Sequence, residues 1–104
     1  MATTKDFHDY ILECLQRAGE VTTRKMMGEY CIYSMGKVIG LICDNTLFLK
    51  MTPTTERLLE NSEKAYPYTG SKTLMHIVDD FENTELMHDV LQALWDELPE
   101  KKKK

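Results

Sequence analysis

Residues 29–51 decide more than any other part of this chain what it can fold into. Three runs, YCIYS, KVIGLIC and TLFLKM, are separated by two pairs, Met35-Gly36 and Asp44-Asn45, that tolerate positive φ. Runs of β-branched and aromatic residues joined by two-residue loops are the signature of β-hairpins. The spacing predicts a three-strand antiparallel meander. With both loops two residues long, the register follows by counting: Tyr33, Val38 and Met51 share a face with Cys31, Gly40 and Leu49 and with Glu29, Ile42 and Leu47. The other face then carries Tyr30, Ile32, Ile39, Leu41, Cys43 and Phe48.

Both faces are largely apolar, whereas a sheet with one face in water alternates more cleanly. Gly40, at the centre of the first face, leaves room for a helix, so helices are expected over Val38, Ile42, Leu47, Leu49 and Met51. The second face needs another cover, from the rest of the chain or from a partner. Most soluble oligomers are symmetric homomers, which makes a homodimer the simplest reading, with Ile32, Ile39, Leu41 and Phe48 as its candidate face.

The flanks supply the helices. In 6–18, Phe7, Tyr10, Ile11, Cys14, Leu15 and Ala18 recur at intervals of three and four, with Thr3 or Thr4 as cap and Gly19 as stop. Segment 21–27 reads as extended, with Gly28 at a bend or bulge. Thr52-Pro53 opens a short helix that ends near Asn61 and contributes Leu58 and Leu59. Segments 66–69 and 74–78 read as a hairpin around Gly70-Ser71, with Leu74, His76 and Val78 alternating against Met75 and Ile77. A last helix, capped by Asn83 or Thr84, carries the stripe Leu86, Val90, Leu91, Leu94, Trp95 and Leu98 before Pro99.

At 104 residues the chain is one domain that needs no metal or disulfide staple. No apolar run approaches the ~20 residues of a membrane helix. The N-terminus has no hydrophobic stretch after a basic start, so a cytoplasmic protein is expected, with no membrane partner. The net charge is -4, and four of the positive charges are the lysines of 101–104. Eight carboxylates and no lysine or arginine fill 73–100, while Arg17, Arg24, Lys25, Lys37 and Lys50 face only Glu20, Glu29 and Asp44 in 17–50. A basic side and an acidic side, or simply a solvated mixed surface, are the readings of that asymmetry. The acidity of the whole disfavours nucleic acid as a partner.

Little else resembles chemistry. Cys14, Cys31 and Cys43 form an odd count without a C-x-x-C pair, and His8, His76 and His88 lie outside metal-ligand spacing. Ser34, Ser62 and Ser71 lack a nucleophile-elbow setting, Asp79 and Asp80 diverge as neighbours, and no glycine pattern cradles a phosphate. No catalytic, cofactor-binding or metal-binding residue is expected. The seven methionines suit gap-filling in a core.

The stretch that remains is RKMMGEYCIY, residues 24–33. Arg24 and Met26 point one way and Lys25 and Met27 the other. Cations beside aromatics can grip phosphates, an acidic peptide or another copy's acidic helix, which makes Arg24, Lys25, Tyr30, Tyr33 and Lys50 candidate partner-binding residues. A charged edge strand protected from aggregation explains the same residues.

This stretch resembles the N-terminal domain of the TfoX/Sxy family, which carries an R-K-M-[MF]-G-x-Y-x-[IL]-Y core. The likeness continues through Gly36, the Asp44-Asn45 turn and LFLK at 47–50, and in stand-alone members through PYTGSK, VDD, the LPEKKKK ending and the first helix. Arg24, Lys25, Gly28, Tyr30, Tyr33 and Lys50 match as signature positions. The resemblance implies a two-layer α+β domain, an antiparallel meander sheet with helices mainly on one face. It implies no enzyme activity and no cofactor. Full-length members are similar to transcriptional co-activators of competence genes that work with the cyclic-AMP receptor protein and carry a C-terminal domain. This chain is expected to be the first domain alone, 1–100, with 101–104 as a flexible lysine tail. The leading expectation is a non-enzymatic regulatory domain acting through protein contacts, with a transcription factor or a second copy as partner. The alternatives are nucleic-acid binding through the basic strand region, and a small enzyme with Cys31 as nucleophile.

Overall fold

Both anticipated turns close tight hairpins. Met35 and Gly36 have φ of 52° and 87°, and Asp44 and Asn45 have φ of 52° and 55°, the pair of positive values that two-residue loops need. The computed structural model describes residues 3–26 and 29–98. In chain order its elements are α1 (Lys5–Ala18), β1 (Thr22–Met26), β2 (Glu29–Ser34), β3 (Lys37–Cys43), β4 (Thr46–Lys50), α2 (Pro53–Leu58), β5 (Glu63–Ala65), β6 (Met75–Ile77) and α3 (Thr84–Glu97). The strands form one antiparallel sheet of order β1-β2-β3-β4-β6-β5. This is the expected α+β fold. The bend expected at Gly28 and the tail at 101–104 lie outside the described residues.

Each helix starts where a side chain accepts from an orphan backbone N–H. Thr4 accepts from Phe7 N, Asn83 from Leu86 N, and Thr52 with Thr55 forms a reciprocal capping box in front of Pro53. Thr3 and Asn45 add a tertiary lock. Thr3 donates through N and Oγ1 to Glu29 Oε1 at 3.1 and 2.7 Å, while Asn45 Oδ1 accepts from Thr4 N at 3.0 Å. The start of α1 is thereby pinned to the β3–β4 turn.

All three helices serve one side of the sheet. Ile11 and Leu15 of α1, Leu59 after α2, and Met87, Val90, Leu91 and Leu94 of α3 share a core with Ile32, Ile39, Ile42, Leu47 and Leu49. Ile32 and Ile39 are 0% exposed there, which corrects their placement on a second, uncovered face. The cause is a β-bulge. The count from the Met35-Gly36 turn holds for Ser34↔Lys37 and Tyr33↔Val38, then slips by one, so that Ile32 pairs with Gly40 and Cys31 with Leu41. One inserted residue reverses the faces expected for β2 and for Ile39, while β3 beyond Gly40 and β4 keep the expected sides. Tyr30, Ile32 and Ile39 turn under the helices, and Cys31 and Tyr33 turn away. Gly40 makes room for a strand rather than a helix, since a Cβ there would lie 2.1 Å from the backbone oxygen of Phe48.

A second correction concerns the last hairpin. Its first strand is Glu63–Ala65, not 66–69, and Tyr66 and Tyr68 are exposed in the connection to β6. Pro67 lies inside the expected run, and a proline cannot donate to a ladder. The alternation of β6 is as expected: His76 is 0% and Val78 2% exposed on the helix side, whereas Met75 and Ile77 turn away.

Candidate functional site

The face that the helices leave uncovered is built by register. One row crosses all six strands: Arg24, Cys31, Leu41, Phe48, Ile77 and Glu63 are successive partners from β1 to β5. Cys43, Phe48 and Met75 form a small apolar cluster at its centre, with Leu41, Ala65 and Ile77 packed around them. No helix residue joins this cluster. Leu41 and Ile77 are half-buried, while Arg24, Met26 and Glu63 are exposed toward the ends.

The five candidate partner-binding residues divide between the two sides. Arg24, Tyr33 and Lys50 stand on the open face, where Arg24 and Tyr33 line an open recess of ≈ 330 Å³ with Thr22 and Gly36. Lys25 and Tyr30 are on the opposite side. Tyr30 stacks on His8 with ring centroids 3.8 Å apart and planes at 22°. Of the four candidate dimer residues, Leu41 and Phe48 are on the open face, and Ile32 and Ile39 are core.

The basic side is thinner than the sequence suggests. Lys37 Nζ donates to the carbonyls of Trp95 and Leu98 at 2.6 and 2.8 Å, so its charge closes the end of α3. Arg17 pairs with Glu13 one turn earlier at 3.0 Å. The acidic side is real: α3 and its approach carry Asp79, Asp80, Glu82, Glu85, Asp89, Asp96 and Glu97, with Glu97 Oε1 accepting from Thr54 N at 3.1 Å.

Two polar clusters escaped the sequence reading. His8 bridges α1 and β1, with Nε2 2.7 Å from Thr23 Oγ1 and Nδ1 2.9 Å from Asp9 Oδ1. His76 is fully buried between Thr55 Oγ1 at 3.1 Å and Ser62 Oγ at 2.9 Å, and burial, with the nearby Lys64 charge, pulls its pKa down. Asp9 is the neighbour of His8 in α1, but Thr23, Thr55 and Ser62 lie 15, 21 and 14 residues from the histidines they meet, so sequence spacing held no signal for either cluster. The thiols are buried. Burial first, then the carboxylate of Glu29, pushes Cys43 up to about 11, which keeps it protonated and a poor nucleophile. Among the described residues no three His, Cys, Asp or Glu side chains gather as metal ligands.

Comparison with known proteins settles the lineage. The TfoX N-terminal domain family matches residues 13–97. The chain belongs to that family. It is also similar to an uncharacterized 12.7 kDa protein in the trpE 5′ region of Spirochaeta aurantia, 31% identical over 99 residues that span 95% of this chain and 86% of that protein. Within this TfoX N-terminal domain the signature positions have separate places. Arg24 and Tyr33 mark the open face, Tyr30 the packing against α1, and Lys50 the end of β4. No helix among the described residues is long and apolar enough to cross a membrane.

Proposed function

We propose that this TfoX N-terminal domain is a non-enzymatic, cytoplasmic regulatory module that works through protein contacts on its open sheet face and serves transcription of competence genes. The observation that carries the proposal is the row Leu41–Phe48–Ile77, an apolar strip that joins no helix and is bounded by charge at both ends. A contiguous apolar strip with a polar rim is the usual anatomy of a protein-contact surface. The protein it meets is a second copy or a transcription factor, the class the family resemblance implies. The buried thiols and the high pKa of Cys43 support a role without nucleophilic catalysis. Nucleic-acid binding is the weaker reading, because Lys37 and Arg17, two of its five cations, are engaged inside the chain.

The test is expression of a competence-gene reporter in cells lacking the chain, complemented with wild type or with Leu41→Glu. Wild type is expected to restore the reporter and the variant to fail, with its fold checked by circular dichroism. Equal restoration by a folded Leu41→Glu chain overturns the proposal.

A further inference from the structure

The open face has two chemically different ends. Arg24 begins the central row and Glu63 ends it; both are exposed, and among the described residues neither makes an ion pair. Cys31, Leu41, Phe48 and Ile77, between them, include no carboxylate, lysine or arginine. Strands spaced by about 4.8 Å put the two charged residues roughly 24 Å apart, too far to meet within one chain.

We infer that the occupant of this face is a second copy of this chain, packed face to face about a two-fold axis that runs parallel to the strands between β3 and β4. The inference rests on reading the open face as a protein-contact surface, and it names the protein. A face that packs on itself needs its two-fold axis in the plane between the sheets. An axis along the central row would set Arg24 over its own symmetry mate and Glu63 over its own, four like charges in repulsive pairs. An axis along the strands reverses the row instead. Arg24 of one protomer then lies over Glu63 of its partner, Leu41 over Phe48 and the small Cys31 over the larger Ile77, with every contact made twice.

Two further features fit this arrangement. The recess of ≈ 330 Å³ beside Arg24 and Tyr33 lies at the β1 end of the face, where Glu63 of the partner arrives, and it has room for a carboxylate side chain. The sheet edges offer a poorer route. Pairing of β1 with a second β1 about Arg24 would place two guanidinium groups opposite each other, and β5 is only three residues long. Lys50 ends β4, so its stem can cover apolar surface while its ammonium reaches water at the strand end.

The size of the face sets the strength. Six strands about 4.8 Å apart and roughly 17 Å long give a plan area on the order of 400 Å² per protomer. That is below the area of a tight complex, so the dimer is weak and reversible, in the micromolar range or above.

Sedimentation equilibrium from about 1 μM to about 1 mM tests the inference on wild type, Leu41→Glu, Arg24→Glu, Glu63→Arg and the double charge reversal. Wild type is expected to dimerise and Leu41→Glu to remain monomeric. Each single reversal should weaken the dimer by about tenfold at low salt and less at high salt, and the double reversal should restore it. Arg24 and Glu63 are exposed, so these variants keep the fold. A wild type that is monomeric throughout overturns the inference, and so does a dimer indifferent to Leu41→Glu. A dimer that Leu41→Glu breaks but neither reversal weakens overturns the orientation. The regulatory proposal fails separately: there, the reporter ignores Leu41→Glu even though the dimer is lost.

Discussion

The two faces of one sheet behave as different materials. Beneath the helices, Ile32, Ile39, Ile42, Leu47 and Leu49 are at most 1% exposed and lock against α1 and α3. On the open side, Phe48 and Met75 are buried among strand neighbours alone, Leu41 and Ile77 are half-buried, and the ends are charged. The first face is where burial holds the fold, and the second is where substitution is tolerated by the fold and felt by a partner. Residues adjacent in sequence, such as Ile42 and Cys43, belong to different physical problems.

The widest test of that contrast is truncation on each side. Leu49→Ala removes packing from a site sealed by helices and should cost about 3 kcal/mol. Leu41→Ala, at a half-buried site with no helix above it, should cost under about 1 kcal/mol. Urea unfolding of the two variants measures the difference, and equal losses would erase the distinction between the faces. Gly40→Ala comes next. Its new methyl group would lie 2.1 Å from a backbone oxygen of β4, so strand and bulge must shift together, at a cost of about 2 kcal/mol. Amide exchange should quicken on both β3 and β4 in that variant.

That bulge also marks the limit of what could be read from the residues. The turns, the caps at Thr4, Thr52 and Asn83, and the stripe of α3 follow from local chemistry, and so their positions are legible within a residue or two. A bulge is not local. The extra residue at 38–40 is tolerated because Gly40 has no side chain to collide with β4, a fact of tertiary approach that alternation cannot express. The same slip hid half of the candidate site. It moved Ile32 and Ile39 into the core and brought Cys31 and Tyr33 onto the open face, while Glu63 escaped because Pro67 displaced its strand. Arg24, Leu41 and Phe48 are legible, because for them side and exposure follow from the alternation of their own strand.

A polar site sharpens the comparison next. His76 is the buried polar side chain of β6 on the helix side, and His76→Ala would leave a cavity and take the partner from the Ser62 hydroxyl, while Thr55 keeps its bonds to Thr52, at a cost of about 2 kcal/mol. Its pH dependence has a definite sign. Burial keeps the folded imidazole neutral, so the unfolded chain takes up the proton first. The stabilisation is complete above the ordinary value of 6.5 and is lost as the pH falls through the lower folded pKa. Glu97, held below its ordinary 4.5 by hydrogen bonds from Thr54, is also lost on acidification, but in a lower window. Melting temperatures between pH 6.5 and 4.5 should therefore fall less steeply in His76→Gln than in wild type. Parallel slopes would mean that His76 carries none of the acid sensitivity.

The smallest effect concerns a residue that the charge pattern assigns to one face and the structure gives to the other. The charge pattern groups Lys37 with the cations of a basic side, yet its ammonium reaches the last carbonyls of α3 and lies 5.5 Å from the centre of the Trp95 ring. α3 has no basic residue in its last turn, so the charge that its C-terminus favours arrives from β3 instead. Lys37→Met keeps an apolar stem of similar length and removes that charge. Stability should fall by about 1 kcal/mol, and Trp95 fluorescence should shift to the red as the last turn frays. The dimer constant should not move, because Lys37 lies across the sheet from Arg24 and Glu63. A variant as stable as wild type but unable to dimerise would place Lys37 in the contact surface, and the division of labour between the two faces would have to be redrawn around it.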